Sequence, residues 1–109
     1  MENVSNIGKI MKKDFIYPKK LSTTIFEKIV KTSESWSNSG DIEDIKLMLV
    51  KLPAGAYKAL AKGQNKNDVV VSRLFPKTMN EQQLIKELDN FPQPLNKEWL
   101  IKQGWDYEV

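Results

Sequence analysis

The chain has 109 residues, 40 % of them hydrophobic and 28 % charged, with a formal net charge of +3; this is the profile of one small soluble domain spanning 1–109, able to close a core without staples. It contains neither cysteine nor histidine, which excludes disulfides, thiolate zinc sites, iron–sulfur clusters, histidine triads and H-E-x-x-H metal sites. No run approaches the roughly 20 apolar residues of a membrane-spanning helix and the start shows no secretory apolar region, so a cytoplasmic location with no membrane partner is expected.

Arg73 is the one arginine among 17 basic residues. A lysine excess of this kind, with many asparagines, fits an AT-rich genome, and the expected setting is a bacterial cytoplasm, phage or mobile element. The charge is uneven. Residues 52–80 carry five basic and one acidic side chain, and residues 81–109 carry three and six. The chain is therefore polarised, with a basic middle and an acidic end.

Residues 1–20 are expected to form a basic N-terminal arm or a short helix with Val4, Ile7 and Met11 on one face. LSTTIFEKIVKTSESW is then expected to be a helix. Ser22 or Thr24 with Glu27 offers its cap, and Ile25, Phe26, Ile29 and Val30 give it an apolar face. Ser37–Gly40 breaks the chain. DIEDIKLMLVKLP opens like a helix but is apolar nearly all round from Ile45, which favours a buried strand over 45–51. Pro53-Ala54-Gly55 turns the chain.

AYKALAKG is open between a short helix and a second strand. QNKND is a polar loop. VVVSRLF reads as a strand by its β-branched residues and stops at Pro76. Thr78 and Glu81 form a capping box for a helix through TMNEQQLIKELDNF, with Leu84, Ile85, Leu88 and Phe91 inward and Pro92 as the stop. Asn96 caps a last short helix, with Trp99 and Leu100 inward and Gly104 ending it. Trp105, Tyr107 and Val109 then alternate as in a half-buried strand. The expected class is α+β, with two or three helices on a small antiparallel sheet of three or four strands.

Candidate chemistry is sparse. Tyr57, Lys58, Lys62, Lys66 and Arg73 could hold and protonate a phosphate in a histidine-free nuclease toxin, although no spacing fixes their geometry. DIED lacks the spacing of a calcium loop and reads better as a capped helix start. No phosphate loop, dinucleotide fingerprint or nucleophile elbow is present. No cofactor, metal or catalytic residue is expected.

IKLMLVKLPAGAYKALAKGQNKNDVVVSRLF resembles a ribbon–helix–helix repressor over about thirty residues. Leu52-Pro53, Leu60-Ala61 and Asn67-Asp68-Val69-Val70 fall in the order of that family's strand, first helix and second helix. The resemblance implies a homodimeric DNA-binding regulator or antitoxin. A winged helix, with helices over 41–63 and a wing over 64–75, is the other DNA-binding reading. Against both, one arginine limits bidentate reading of guanine.

The leading expectation is a non-enzymatic binding protein, a stoichiometric inhibitor or immunity-type partner of a larger protein or nucleoprotein. Lys58, Lys62, Lys66, Arg73 and Lys77 would steer it to an acidic partner surface or to DNA or RNA. Tyr57, Trp99, Trp105 and Tyr107 are the aromatic residues expected to anchor a protein partner from the surface.

Overall fold

The computed structural model describes residues 22–108. The expected N-terminal arm or helix over 1–20, and Val109, lie outside the described residues. Among the described residues five strands form one sheet: β1 (Thr23–Val30), β2 (Ile45–Lys51), β3 (Tyr57–Lys62), β4 (Val70–Phe75) and β5 (Asp106–Tyr107). They lie side by side in chain order and every neighbouring pair is antiparallel. Two helices, α1 (Glu81–Asp89) and α2 (Lys97–Lys102), are inserted between β4 and β5. The class is α+β, with five strands instead of three or four.

Strict alternation sets the two faces of the sheet. In β2, Ile45, Leu47 and Leu49 are buried while Lys46, Met48 and Val50 are half-buried. Register carries the inward set onto Tyr57, Ala59 and Ala61 of β3, and from there to Val71, Arg73 and Phe75 of β4. The same face meets both helices. Tyr57 reaches Glu81 on α1, Lys28 reaches Asp89 at the end of α1, and Arg73 reaches Gln103 just past α2. Leu84, Leu88, Leu95, Leu100 and Trp105 complete the core above it.

The extra strand is β1, where a helix over 21–36 is expected from the sequence. Its pairing to β2 carries a register shift between Thr24 and Phe26. This bulge breaks the two-residue period, so Ile25 and Phe26 are both half-buried and the apolar spacing mimics a helical face. Beyond the bulge the alternation is regular. Phe26, Lys28 and Val30 pair with Leu49, Leu47 and Ile45 on the inward side, leaving Glu27 and Ile29 outward. The inward Lys28 sits on the outermost of the described strands, where its ammonium donates to the Asp89 carbonyl and carboxylate, both at 3.0 Å.

From Val30 the chain leaves the sheet. Trp36 is fully buried there, its Nε1 donates to Thr32 Oγ1 at 3.1 Å, and its carbonyl accepts from Val69 N–H at 2.8 Å. Ser37–Gly40 makes a turn closed by Gly40 N–H on the Ser37 carbonyl, with Gly40 at φ 88°. DIED is not a helix start, because Ile42 bridges to Ser35 and the chain runs straight into β2. AYKALAKG resolves as β3. Helix α1 begins later than its sequence suggests. Its cap is Asn80, whose side chain accepts from Gln83 N–H at 2.9 Å, instead of Thr78, which lies in the turn after Pro76. Asn96 caps α2 as expected, accepting from Trp99 N–H at 3.0 Å.

Candidate functional site

Where α1, α2 and the end of β4 meet, they enclose a cavity of about 90 Å³. Phe75 from β4, Phe91 after α1, Trp99 from α2 and Trp105 after it line it together with Leu84 and Leu88. Phe91 meets Trp99 edge-on, with centroids 5.1 Å apart at 78°, and meets Trp105 at 5.8 Å and 60°. Edge-to-face contacts of this kind add about 0.5–1.5 kcal/mol each beyond area burial, so the wall is stiff. Trp105 is buried and Trp99 half-buried, so the cavity passes from a closed floor to an open rim.

Three polar residues, Arg73, Glu87 and Gln103, stand on the lining. The Arg73 guanidinium lies over Phe75, 4.7 Å from the ring centroid, and its Nη1 donates to the Gln103 carbonyl at 2.7 Å. These two contacts fix the plane of the fork. Among the described residues no carboxylate comes within ion-pair distance of it; the ion pairs they form are Lys28–Asp89, Lys46–Glu27 and Lys58–Glu108. Gly104 lies beside Arg73, a Cβ there falling in ordinary contact 3.5 Å from the guanidinium carbon, and its φ of 97° is what favours glycine.

A second groove of about 360 Å³ adjoins Arg73, bounded by Ser72, Leu74, Gly104 and Asp106. It exists because β5 is short. Its pairing to β4 covers Val71 and Ser72 and no further toward Phe75. Glu108 N–H bonds to the Val70 carbonyl, so Val70, Ser72 and Leu74 turn their backbone groups to the β5 side. Leu74 therefore presents its N–H and C=O at an edge with no strand beside it among the described residues. Its side chain is 66 % exposed.

The sheet separates the basic residues expected to act together. Lys58 and Lys62 stand on the outward face, Arg73 on the inward one. Lys66 lies in the β3–β4 turn, while Lys77 lies at the opposite end, against Gly55. A six-residue strand puts about 17–20 Å between those ends. Lys58 is engaged by Glu108 at 2.6 Å, and that contact holds the Glu108 carboxyl below its ordinary pKa against the opposing effect of burial. The basic stretch thus forms no single patch, and the nuclease set of Tyr57, Lys58, Lys62, Lys66 and Arg73 does not converge.

The aromatic residues also divide. Tyr57, expected at the surface, is 5 % exposed in the core, and its hydroxyl donates to Glu81 Oε1 at 3.3 Å. Burial, then the Glu81 carboxylate, raises its pKa. Trp105 is likewise enclosed, at 2 %, while Tyr107 is 54 % exposed on β5. Arg73, Trp99 and Trp105 are brought to one cavity. Sequence reasoning missed Phe75, Phe91, Glu87 and Gln103 there, since a Leu84–Leu88–Phe91 stripe reads as core whether or not a space opens beside it.

The outward face of the sheet bears Ile29, Met48, Leu60 and Leu74 among paired charges, and both described helices lie on the other side. The segments that a ribbon–helix–helix reading needs as helices, within 53–63 and 67–75, are the strands β3 and β4, and the 41–63 segment that a winged-helix reading needs as helices holds the strands β2 and β3. Among the described residues no helix is long and apolar enough to cross a membrane, and no three metal-ligating side chains cluster. No protein-family model, curated protein or solved structure matches the chain.

Proposed function

We propose that this chain is a non-enzymatic binding protein that grips a larger protein stoichiometrically, as inhibitors and immunity-type partners do, and that the cavity beside Arg73 is its socket. The observation that carries this reading is the pre-oriented guanidinium, without a carboxylate partner among the described residues, at the mouth of an aromatic-walled space. Trp, Tyr and Arg dominate binding hot spots because they bury large area with few rotors and fixed donors. Here two tryptophans and the one arginine converge on a space the size of a small side chain. A partner residue entering it would bury apolar surface without forcing the wall to rearrange.

The test does not require the partner to be identified. A library of random peptides, displayed with free ends and within loops, is selected against the protein and against Gln103→Trp, which sets a bulky ring at the cavity mouth. Enrichment of a shared motif on the native protein, abolished in Gln103→Trp and kept in Leu60→Lys on the outward face, supports the socket. Selection that yields no motif, or a motif indifferent to Gln103→Trp, removes it.

A further inference from the structure

We propose that the socket takes the C-terminal residue of its partner, a branched aliphatic residue whose free carboxylate is bound by Arg73. The inference rests on the socket reading and adds the chemistry of the plug. Cavity size sets the side chain. An apolar cavity of about 150 Å³ accommodates benzene, so the 90 Å³ here fits three or four carbons, the isopropyl or isobutyl group of valine or leucine.

Charge sets the end group. Arg73 is fixed by Phe75 and the Gln103 carbonyl, and its other N–H groups, which have no partner among the described residues, are the donors for the ligand. A planar fork with unused donors matches a carboxylate in two-point geometry. An internal side chain would fill the cavity but leave that fork unmatched. Glu87 is the other charged group on the lining. It would repel a second carboxylate but can accept the N–H of the terminal residue itself. The groove beyond Arg73 then receives the preceding residues, where Leu74 offers a backbone edge that no described strand pairs, open to strand addition.

The test uses a hexapeptide ending in leucine with a free carboxylate, the same peptide amidated, and free 4-methylpentanoate. Each is titrated into the full chain while tryptophan emission is followed, since Trp99 and Trp105 form the wall. The free-acid peptide is expected to saturate the signal, the amide to bind at least about tenfold more weakly, and Arg73→Gln to bind acid and amide alike, as loss of a charge-assisted pair predicts. Equal binding of acid and amide by the native protein overturns the carboxylate assignment. So does failure of the acid peptide to bind at about 1 mM. Free 4-methylpentanoate binding as tightly as the peptide would make the site a small-acid pocket and overturn it too. In each of these cases the library selection still reports on the socket itself, so the two failures are distinguishable.

Discussion

Glu43 and Asp68 bring two carboxyl groups together across the gap between the loop before β2 and the β3–β4 turn. The hydrogen bond between them raises the pKa of Glu43 and lowers that of Asp68; enclosure and the Asp68 charge raise Glu43 further, and backbone donors at Asn65 and Asn38 help hold Asp68 ionised. Glu43 Oε2 is out of contact with solvent. The pair ties together two segments distant in sequence, next to the buried Trp36.

The pair should give stability a maximum within the acid range. Glu43, with its folded pKa raised, contributes fully below its unfolded pKa and loses that contribution as pH rises through the folded value. Asp68, with its folded pKa lowered, contributes above its unfolded pKa and loses that as pH falls through the folded value. Glu43→Gln keeps a donor without a titrating proton. It should abolish the decline on the alkaline side of the maximum and leave the acid-side decline in place. Urea midpoints of both proteins, measured from strongly acid to neutral pH, decide the point; parallel profiles would rule out a shared proton.

Gly63 is the residue that lets Asp68 take its place. A Cβ on Gly63 would lie 2.5 Å from the Asp68 Cβ, closer than side-chain atoms approach. Gly63→Ala should therefore displace Asp68, lower the melting temperature and bring the pH profile toward that of Glu43→Gln. An alanine variant with native melting temperature and native pH profile would show that the turn absorbs the methyl group by moving elsewhere.

Much of the sheet was legible from three local signals: an unbroken apolar run, a cluster of β-branched residues and, at the end of the chain, alternation. β2, β4 and the direction of β5 follow from Ile45–Val50, Val69–Val71 and the Trp105–Tyr107 alternation. β1 was not legible, because one bulged residue turned Ile25 and Phe26 into a helix-like pair and no local signal separates a bulge from a change of period. The expected surface of Lys58, Lys62, Lys66, Arg73 and Lys77 failed for a related reason. Alternation keeps Lys58 and Lys62 together on the outward face but turns Arg73 to the inward one, and the strand length holds Lys66 and Lys77 at opposite ends. The cavity was illegible as a space. Its tryptophans and arginine were visible as residue types suited to binding, but their meeting depends on where α1 and α2 cross the sheet.

The wall of the cavity should be asymmetric in its effect on stability. Trp105 is buried against the core, and Trp105→Ala should cost about 3–5 kcal/mol, the range for removal of a large buried aromatic. Trp99 stands at the half-open rim, so Trp99→Ala should cost less and should be tolerated at room temperature. Chemical denaturation of both variants tests the order. Equal losses would mean that Trp99 is as much core as Trp105 and that the cavity has no rim on that side.

Asn96 should couple helix formation to the site. α2 is a six-residue helix whose first-turn donors are met by two side chains, Asn96 at Trp99 N–H and Glu34 at Lys97 N–H, and it carries the half-buried Trp99 next to the buried Leu100. Asn96→Ala should cost about 1 kcal/mol, the typical worth of an N-cap. The same loss should loosen Trp99 and shift its emission, whereas Asn80→Ala at the start of α1 should destabilise the fold without moving that emission. A red shift in both variants, or in neither, would break the link between the α2 cap and the cavity.

Arg73 separates a structural role from a binding one. Its stack on Phe75 is exposed to solvent, where such contacts are worth about 0.5–1 kcal/mol, and its bond to the Gln103 carbonyl lies at the surface. Arg73→Lys keeps the positive charge but loses the planar fork. It should lower stability by no more than about 1 kcal/mol. It should also weaken a terminal carboxylate more than it weakens an amide, because two-point geometry is what lysine cannot supply. Folding free energies and the acid-to-amide affinity ratio, measured on the same preparations, give the answer. A large stability loss with an unchanged ratio would mean that Arg73 is a strut between β4 and the end of α2, held for the fold and indifferent to ligand.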